Sequence, residues 1–186
     1  PHGWEGRCLS DVRLHFERRS LRYDPFTSTA THRQTHESIE PVQPRNPDYQ
    51  TEISRVFRQA PFISAIGMTL VDVSPGRCRT RLDLNARHEQ QDGFVHAGVL
   101  TTVADHTAGT AGASLVAAGH YVLSTDIKIS LMRTARGPRL HCRARVLKAG
   151  KRLIFTESEV FCEDDRQEQV LVAKAMVTLA VVAGPA

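Results

Sequence analysis

Apolar positions recur with two different periods along this chain, and the switches between them mark its elements. Residues 48–59, DYQTEISRVFRQ, set Ile53, Val56 and Phe57 at i, i+3 and i+4. That is one face of a short amphipathic helix, which Pro61 is expected to end. Residues 66–73 read as a strand and Ser74-Pro75-Gly76 as a turn. From Arg77 to Leu84 the alternation is strict, with Cys78, Thr80, Leu82 and Leu84 set against Arg77, Arg79, Arg81 and Asp83. This is the pattern of a half-buried antiparallel strand. Between Ala97 and Ala118 it gives way to a run rich in Ala, Gly and Thr, read as a helix with little side-chain bulk that Gly119 closes. Alternation resumes with Tyr121, Leu123, Thr125, Ile127, Ile129 and Leu131 on one face. Further strands follow over 140–147, 153–162 and 170–182, joined at Gly137-Pro138, at Ala149-Gly150-Lys151 and through the polar tip 163–168. Helix, two strands, long helix and four strands predict an α+β domain whose antiparallel sheet curls around the long central helix.

The domain so read occupies residues 47–186. Residues 1–46 mix Arg, His, Ser, Thr and Pro with isolated apolar positions and no sustained period. They are expected to form a poorly ordered extension, with at most a short helical turn in 14–23. A hydrophobic content of 41% and a charged content of 24% leave the domain in the ordinary soluble class. Of 24 Lys+Arg and 20 Asp+Glu, 7 and 6 fall in residues 1–46; the small positive excess is spread out, which disfavours nucleic acid as a partner. Cys8, Cys78, Cys142 and Cys162 form neither a CxxC pair nor a metal-ligand spacing, and the last three read as reduced, buried thiols. With no signal-peptide pattern at the start and no apolar run of about 18 residues, a cytoplasmic protein without metal or membrane span is expected.

One residue runs against the pattern. Asp105 is the single acid between Ala97 and Ala118, and no Lys or Arg accompanies it there. A carboxylate on such a helix is costly to bury unpaired. Upstream, Gln90-x-x-Gly93-x-x-His96-Ala97-Gly98 leads a polar loop into the helix, with Asp105 at the ninth position after His96. Two further phrases accompany this spacing: Ser124-Thr-Asp-Ile-Lys-Ile-Ser130 and Val146-Leu-Lys-Ala-Gly-Lys-Arg-Leu-Ile-Phe155. Together they resemble the hotdog-fold acyl-CoA thioesterases of the PaaI-like (phenylacetic acid degradation) type, over about residues 48–182. The family pattern is a polar residue, Gly, His-Gly-Gly and then Asp. Here Gln90 stands where Asn is frequent, and Ala97 replaces the first Gly of the pair while keeping its backbone N–H.

The resemblance implies a hydrolase that cleaves an acyl- or aryl-CoA thioester to free acid and CoA, without a cofactor. In such a reaction negative charge builds on the carbonyl oxygen, and N–H donors already aimed at it lower the barrier. The N–H groups that open a helix lack intrahelical partners and sit at the positive end of its dipole, which makes Ala97 N–H the candidate oxyanion donor, with Gly98 beside the substrate. Asp105 is then the general base on water, or the nucleophile that forms a mixed anhydride. His96 orients the loop by hydrogen bonding rather than acting as a base, and Gln90 presents its amide to the thioester or the attacking water. Ser124 matches a family hydroxyl that helps hold the water, although period-two alternation sets it opposite Leu123 and Ile127. Lys151 and Arg152 are candidates to meet the phosphates of CoA. Nine residues of helix span about 13.5 Å, too far for Asp105 to serve the loop that opens its own helix. The resemblance accordingly implies a homodimer with shared sites, pairing to a tetramer. A non-catalytic acyl-CoA sensor is the alternative on the same fold, with the retained Asp105 against it; a dehydratase would bring a His base and an acid into one site, which the separation of His96 and Asp105 opposes.

Overall fold

The computed structural model describes residues 43–164 and 166–184. Apart from 43–46, the extension expected over 1–46 lies outside them, together with its helical turn and Cys8. The described elements are α1 (Tyr49–Gln59), α2 (Pro61–Ile66), β1 (Met68–Ser74), β2 (Arg77–Asp83), a 3-10 turn (Ala86–His88), α3 (Ala97–Ala113), β3 (His120–Leu131), β4 (Arg139–Ala149), β5 (Leu153–Glu163) and β6 (Gln169–Ala183). The strands form one antiparallel sheet in the order β1-β2-β4-β5-β6-β3. It curls around α3, as the strand and helix periods predict, and this is the hotdog fold that the resemblance implies.

The sheet can close on α3 because that helix is thin. Leu100, Val103, Ala104, Thr107, Ala108 and Ala111 are buried along it, among Leu82, Leu140, Ile154, Val177 and Leu179 from the strands. Each fully buried Leu or Ile of this kind contributes roughly 1.5–3 kcal/mol of apolar burial. A Cβ placed on Gly112 would come within 2.3 Å of Leu179 Cδ1, so β6 packs directly on the helix backbone there. The hydroxyls of Thr80 and Thr107 lie 2.7 Å apart and Thr107 Oγ1 donates to Val103 O, which satisfies two buried polar groups and ties β2 to the helix. Cys78, Cys142 and Cys162 are buried and free, as expected. Burial pushes the Cys142 thiol up to about 12.

Several boundaries differ from the sequence expectation, each for a local reason. Pro61 does not simply stop the first helix; it opens α2, where its fixed φ suits a first helical position. Gly67, at φ +79°, ends α2 in the left-handed region, so β1 starts at Met68 rather than at residue 66. The long helix ends at Ala113, not at Gly119. Ser114 Oγ donates to Ala111 O and accepts from Gly76 N–H, both at 2.7 Å, so the β1–β2 turn pins the helix end.

The expected face of β3 is the largest correction. β3 is a sheet edge, and Leu123 and Leu131 are 52% and 50% exposed. A bulge at Thr125 then breaks the alternation, with Ser124 opposite Leu179 and Ile127 opposite Val177. Leu179 and Val177 both point into the core, and residues directly opposite each other share a face. The extra residue therefore brings Ser124 and Ile127 onto the same inner face and leaves Leu123 on the outer one.

Candidate active site

The loop before α3 is held by its own backbone. Gln90 N–H donates to Phe94 O at 2.8 Å, and Gly93 N–H donates to Gln90 O at 3.1 Å. Gly93 has φ +75°, a conformation that a side chain would strain. The Gln90 side chain closes the same turn, its Oε1 accepting from Asp92 N–H, and that bond does not use its amide Nε2. Val95 N–H then donates to Ala135 O, and His96 N–H to His88 O, which fixes the point at which the chain enters the helix.

At that point His96 is the N-cap. Its Nδ1 accepts from Gly98 N–H at 2.9 Å, and its carbonyl accepts from Val99 and Leu100 N–H. A Cβ on Gly98 would lie 3.0 Å from His96 Nδ1, so a side chain there would crowd the folded-back ring. With Nδ1 accepting, the neutral ring carries its proton on Nε2. Three of the four N–H groups that open α3 are thus used. Among the described residues no group accepts from the fourth, Ala97 N–H, which lies on an exposed residue at the positive end of the helix.

The acid lies two turns along. Asp105 is half-buried, and its Oδ1 accepts from Ser124 Oγ at 2.6 Å. The β3 bulge makes that bond possible, by turning the hydroxyl onto the inner face. Among the described residues no Lys, Arg or His forms a salt bridge with Asp105, although exposed and half-buried carboxylates elsewhere, such as Asp72, Asp83 and Glu157, are paired. Eight residues of helix separate Asp105 from Ala97 by about 12 Å, so within one chain the structure brings Ser124 to Asp105 but does not bring Ala97 or His96 to it.

Asp105 and Ser124 also line a cavity of about 630 Å³ between α1, α3 and the start of β3. The sequence reading missed this wall and missed His106, whose ring meets Phe57 of α1 edge-on at 4.8 Å. Among the described residues His106 Nε2 is buried without a hydrogen-bond partner, and burial lowers the imidazole below its ordinary value. The spacing of Asp105, Gly109 and Ala113 at four-residue steps was a readable sign of a face with little bulk. Lys151 and Arg152 are exposed in the β4–β5 turn and do not line the cavity. Register sets Leu153 opposite Ala180 and Ala180 opposite Leu123, so this turn lies at the same end of the sheet as Ser124. Among the described residues no group of three His, Cys, Asp or Glu is placed to hold a metal, and no helix is long and apolar enough to cross a membrane.

Residues 92–169 match the family model of the Thioesterase superfamily. Among solved structures, the chain is similar to a thioesterase family protein from Silicibacter pomeroyi, at 29% identity over 73% of this chain and 99% of that one, with a TM-score of 0.71. It is also similar to a conserved protein from Pseudomonas aeruginosa, at 29% identity over 69% and 99% of the two chains, with a TM-score of 0.63. A thioesterase from Haemophilus influenzae shares the fold at 18% identity, over 72% and 90%, with a TM-score of 0.63. No curated protein matches the chain.

Proposed function

We propose that this hotdog domain, with a thioesterase-superfamily match across its loop, α3 and β3 to β5, is an acyl-CoA or aryl-CoA thioesterase of the PaaI-like type. One observation carries the reading. A helix opens on an N–H with no partner among the described residues, and the same helix carries a carboxylate held by a serine rather than by a cation. Ala97 N–H would receive the thioester oxygen as it gains charge. Asp105, positioned by Ser124, would take a proton from water as the water adds to the carbonyl carbon; the C–S bond then breaks and the proton passes to the departing CoA thiolate. In the other route the carboxylate itself attacks, and water cleaves the resulting anhydride. His96 holds the N-cap, with Gly98 giving its ring room. Gln90 shapes the loop through its Oε1, which leaves its amide Nε2 to donate to the thioester or the attacking water. Lys151 and Arg152 are suited to the CoA phosphates at the rim.

The two reactive groups are about 12 Å apart on one helix, so the working unit is a homodimer in which each Asp105 faces the partner's α3 start. The exposed apolar edge strand β3 supports this, since an uncovered edge of that kind is a pairing surface. Dimers would pair further to a tetramer.

The test mixes two inactive variants. Asp105→Ala removes the acid. Ala97→Pro removes the N–H at a position where Pro is favoured, after a His96 whose ψ of 138° suits a following Pro. If each site takes one group from each chain, co-refolded mixtures recover about a quarter of wild-type turnover, because half of the pairs are hybrids with one complete site of two. No recovery above either variant alone would sink the shared site, and a wild-type protein that cleaves no thioester would sink the hydrolase.

A further inference from the structure

The cavity beside Asp105 is within the range of about 300–1,000 Å³ found for small-molecule sites, at about 630 Å³. Ile53, Val56 and Phe57 of α1 supply apolar lining, as do Ala113 and Val122. Its floor is a glycine. Gly109 follows Asp105 by one helical turn, on the same face of α3, and a Cβ built there meets nothing within 4 Å among the described residues. Glycine inside a helix is less stable than alanine, and among the described residues nothing occupies the space that Gly109 leaves. Gly112 makes the contrast, because there Leu179 fills the space at once. The room above Gly109 is therefore not explained by packing among the described residues, and it opens beside the carboxylate.

We propose that Gly109 sets the depth of an acyl pocket, and that the substrate's acyl part is an apolar chain or aryl group larger than acetyl, extending past Asp105 by about one turn, or 6 Å. This rests on the hydrolase reading and deepens it. With the thioester carbon at Asp105, one side of the substrate enters the cavity, and apolar walls suit the acyl side rather than the phosphate-bearing one. The edge-on pair of Phe57 and His106 adds aromatic surface where α1 meets α3, so α1 supplies selection as well as cover.

Gly109→Leu and Gly109→Ala test it, in the full chain, with acetyl-, hexanoyl-, dodecanoyl- and benzoyl-CoA. A filled floor should lower kcat/KM for the larger acyl groups, mainly through KM, by at least about tenfold more than for acetyl-CoA, the scale set by small changes of bulk in an apolar pocket. Gly109→Ala should shift the ratio in the same direction and less. Equal losses across the four thioesters, or a change in oligomeric state with no change in the ratio, would overturn the proposal. Should wild type cleave none of them, the hydrolase reading fails separately. Calorimetric binding of the same uncleaved thioesters then decides: selective weakening of the larger ones by Gly109→Leu supports the pocket, while equal binding or none refutes it. Thermal unfolding checks that the variants fold, and if Gly109→Leu does not, the alanine variant decides on the same ratio.

Discussion

Replacing Ser124 by Ala removes a hydroxyl that donates to Asp105 Oδ1 at 2.6 Å and leaves the bulged backbone of β3 in place. Hydrogen bonds to charged groups are worth about 1.5–3 kcal/mol. Ser124 is exposed, so water can partly replace it, and the low end of about 1.5 kcal/mol applies, which is about tenfold in rate. On the proposed general-base route Asp105→Ala removes the proton acceptor itself, and it should cost about 100- to 10,000-fold. The informative quantity is the coupling between them. If Ser124 works only by holding Asp105, Ser124→Ala should cost about tenfold in wild type and less than about twofold in the Asp105→Ala background. The assay is steady-state release of free CoA thiol, with kcat/KM from the four proteins of the cycle. A tenfold loss in both backgrounds would refute the reasoning, because Ser124 would then act on water or substrate independently of the carboxylate. So would an Asp105→Ala protein that keeps most of its activity.

Three further outcomes follow from the packing and the buried groups. Gly112→Ala should destabilise the fold by a net ~0.5–2 kcal/mol in urea unfolding, since the gain in helix propensity is outweighed by an overpacking cost of about 1–3 kcal/mol against Leu179; Gly109→Ala, with open space above it, should instead be neutral or more stable. His106 has its pKa lowered by burial, with Asp105 pulling weakly the other way. The unfolded chain therefore binds the extra proton first, and stability falls as pH drops through the ordinary value of 6.5. His106→Gln should flatten that part of the pH–stability curve, and an unchanged slope would show that the ring titrates alike in both states. Cys78, Cys142 and Cys162 are buried with raised thiol pKa values, so peptide mapping after iodoacetamide should find them unmodified in the native protein and modified in urea.

The fold was legible because its elements differ in period. Arg77–Leu84 and 97–113 cannot be mistaken for each other, whereas the strand order was not readable, because β3 follows the helix yet pairs with β6 rather than with β4. What escaped the sequence was set by tertiary contact. Nothing in Tyr121–Leu131 announces that Thr125 is an extra residue; the bulge appears only against the register of β6. That one residue decides whether Ser124 meets Asp105 or faces outward. The end of α3 depended in the same way on Gly76, 38 positions from Ser114 in sequence, donating to its hydroxyl. Asp105 and Ala97 were legible as an unpaired acid and a helix start. The cavity wall was not, because α1 reads as an ordinary amphipathic helix. Its Ile53 and Phe57 are buried, as the period requires, while Val56 is 48% exposed and lines the cavity.

Three glycines of α3 bear the same propensity cost, roughly 1 kcal/mol each against alanine, and the structure gives each a different reason. Gly98 makes room for the His96 ring that takes its N–H, which leaves Ala97 N–H without an acceptor among the described residues. Gly112 lets Leu179 of β6 touch the helix backbone, which closes the sheet around the core. Gly109 has neither a ring nor a strand to accommodate. A helix chosen for stability alone would carry alanine at that third position, since nothing among the described residues resists a methyl group there. Among the described residues nothing compensates that cost, and the acyl pocket proposed above supplies a reason for it. On that argument the stability and the acyl preference of Gly109 variants should move in opposite directions, whereas at Gly98 and Gly112 stability and function should fail together.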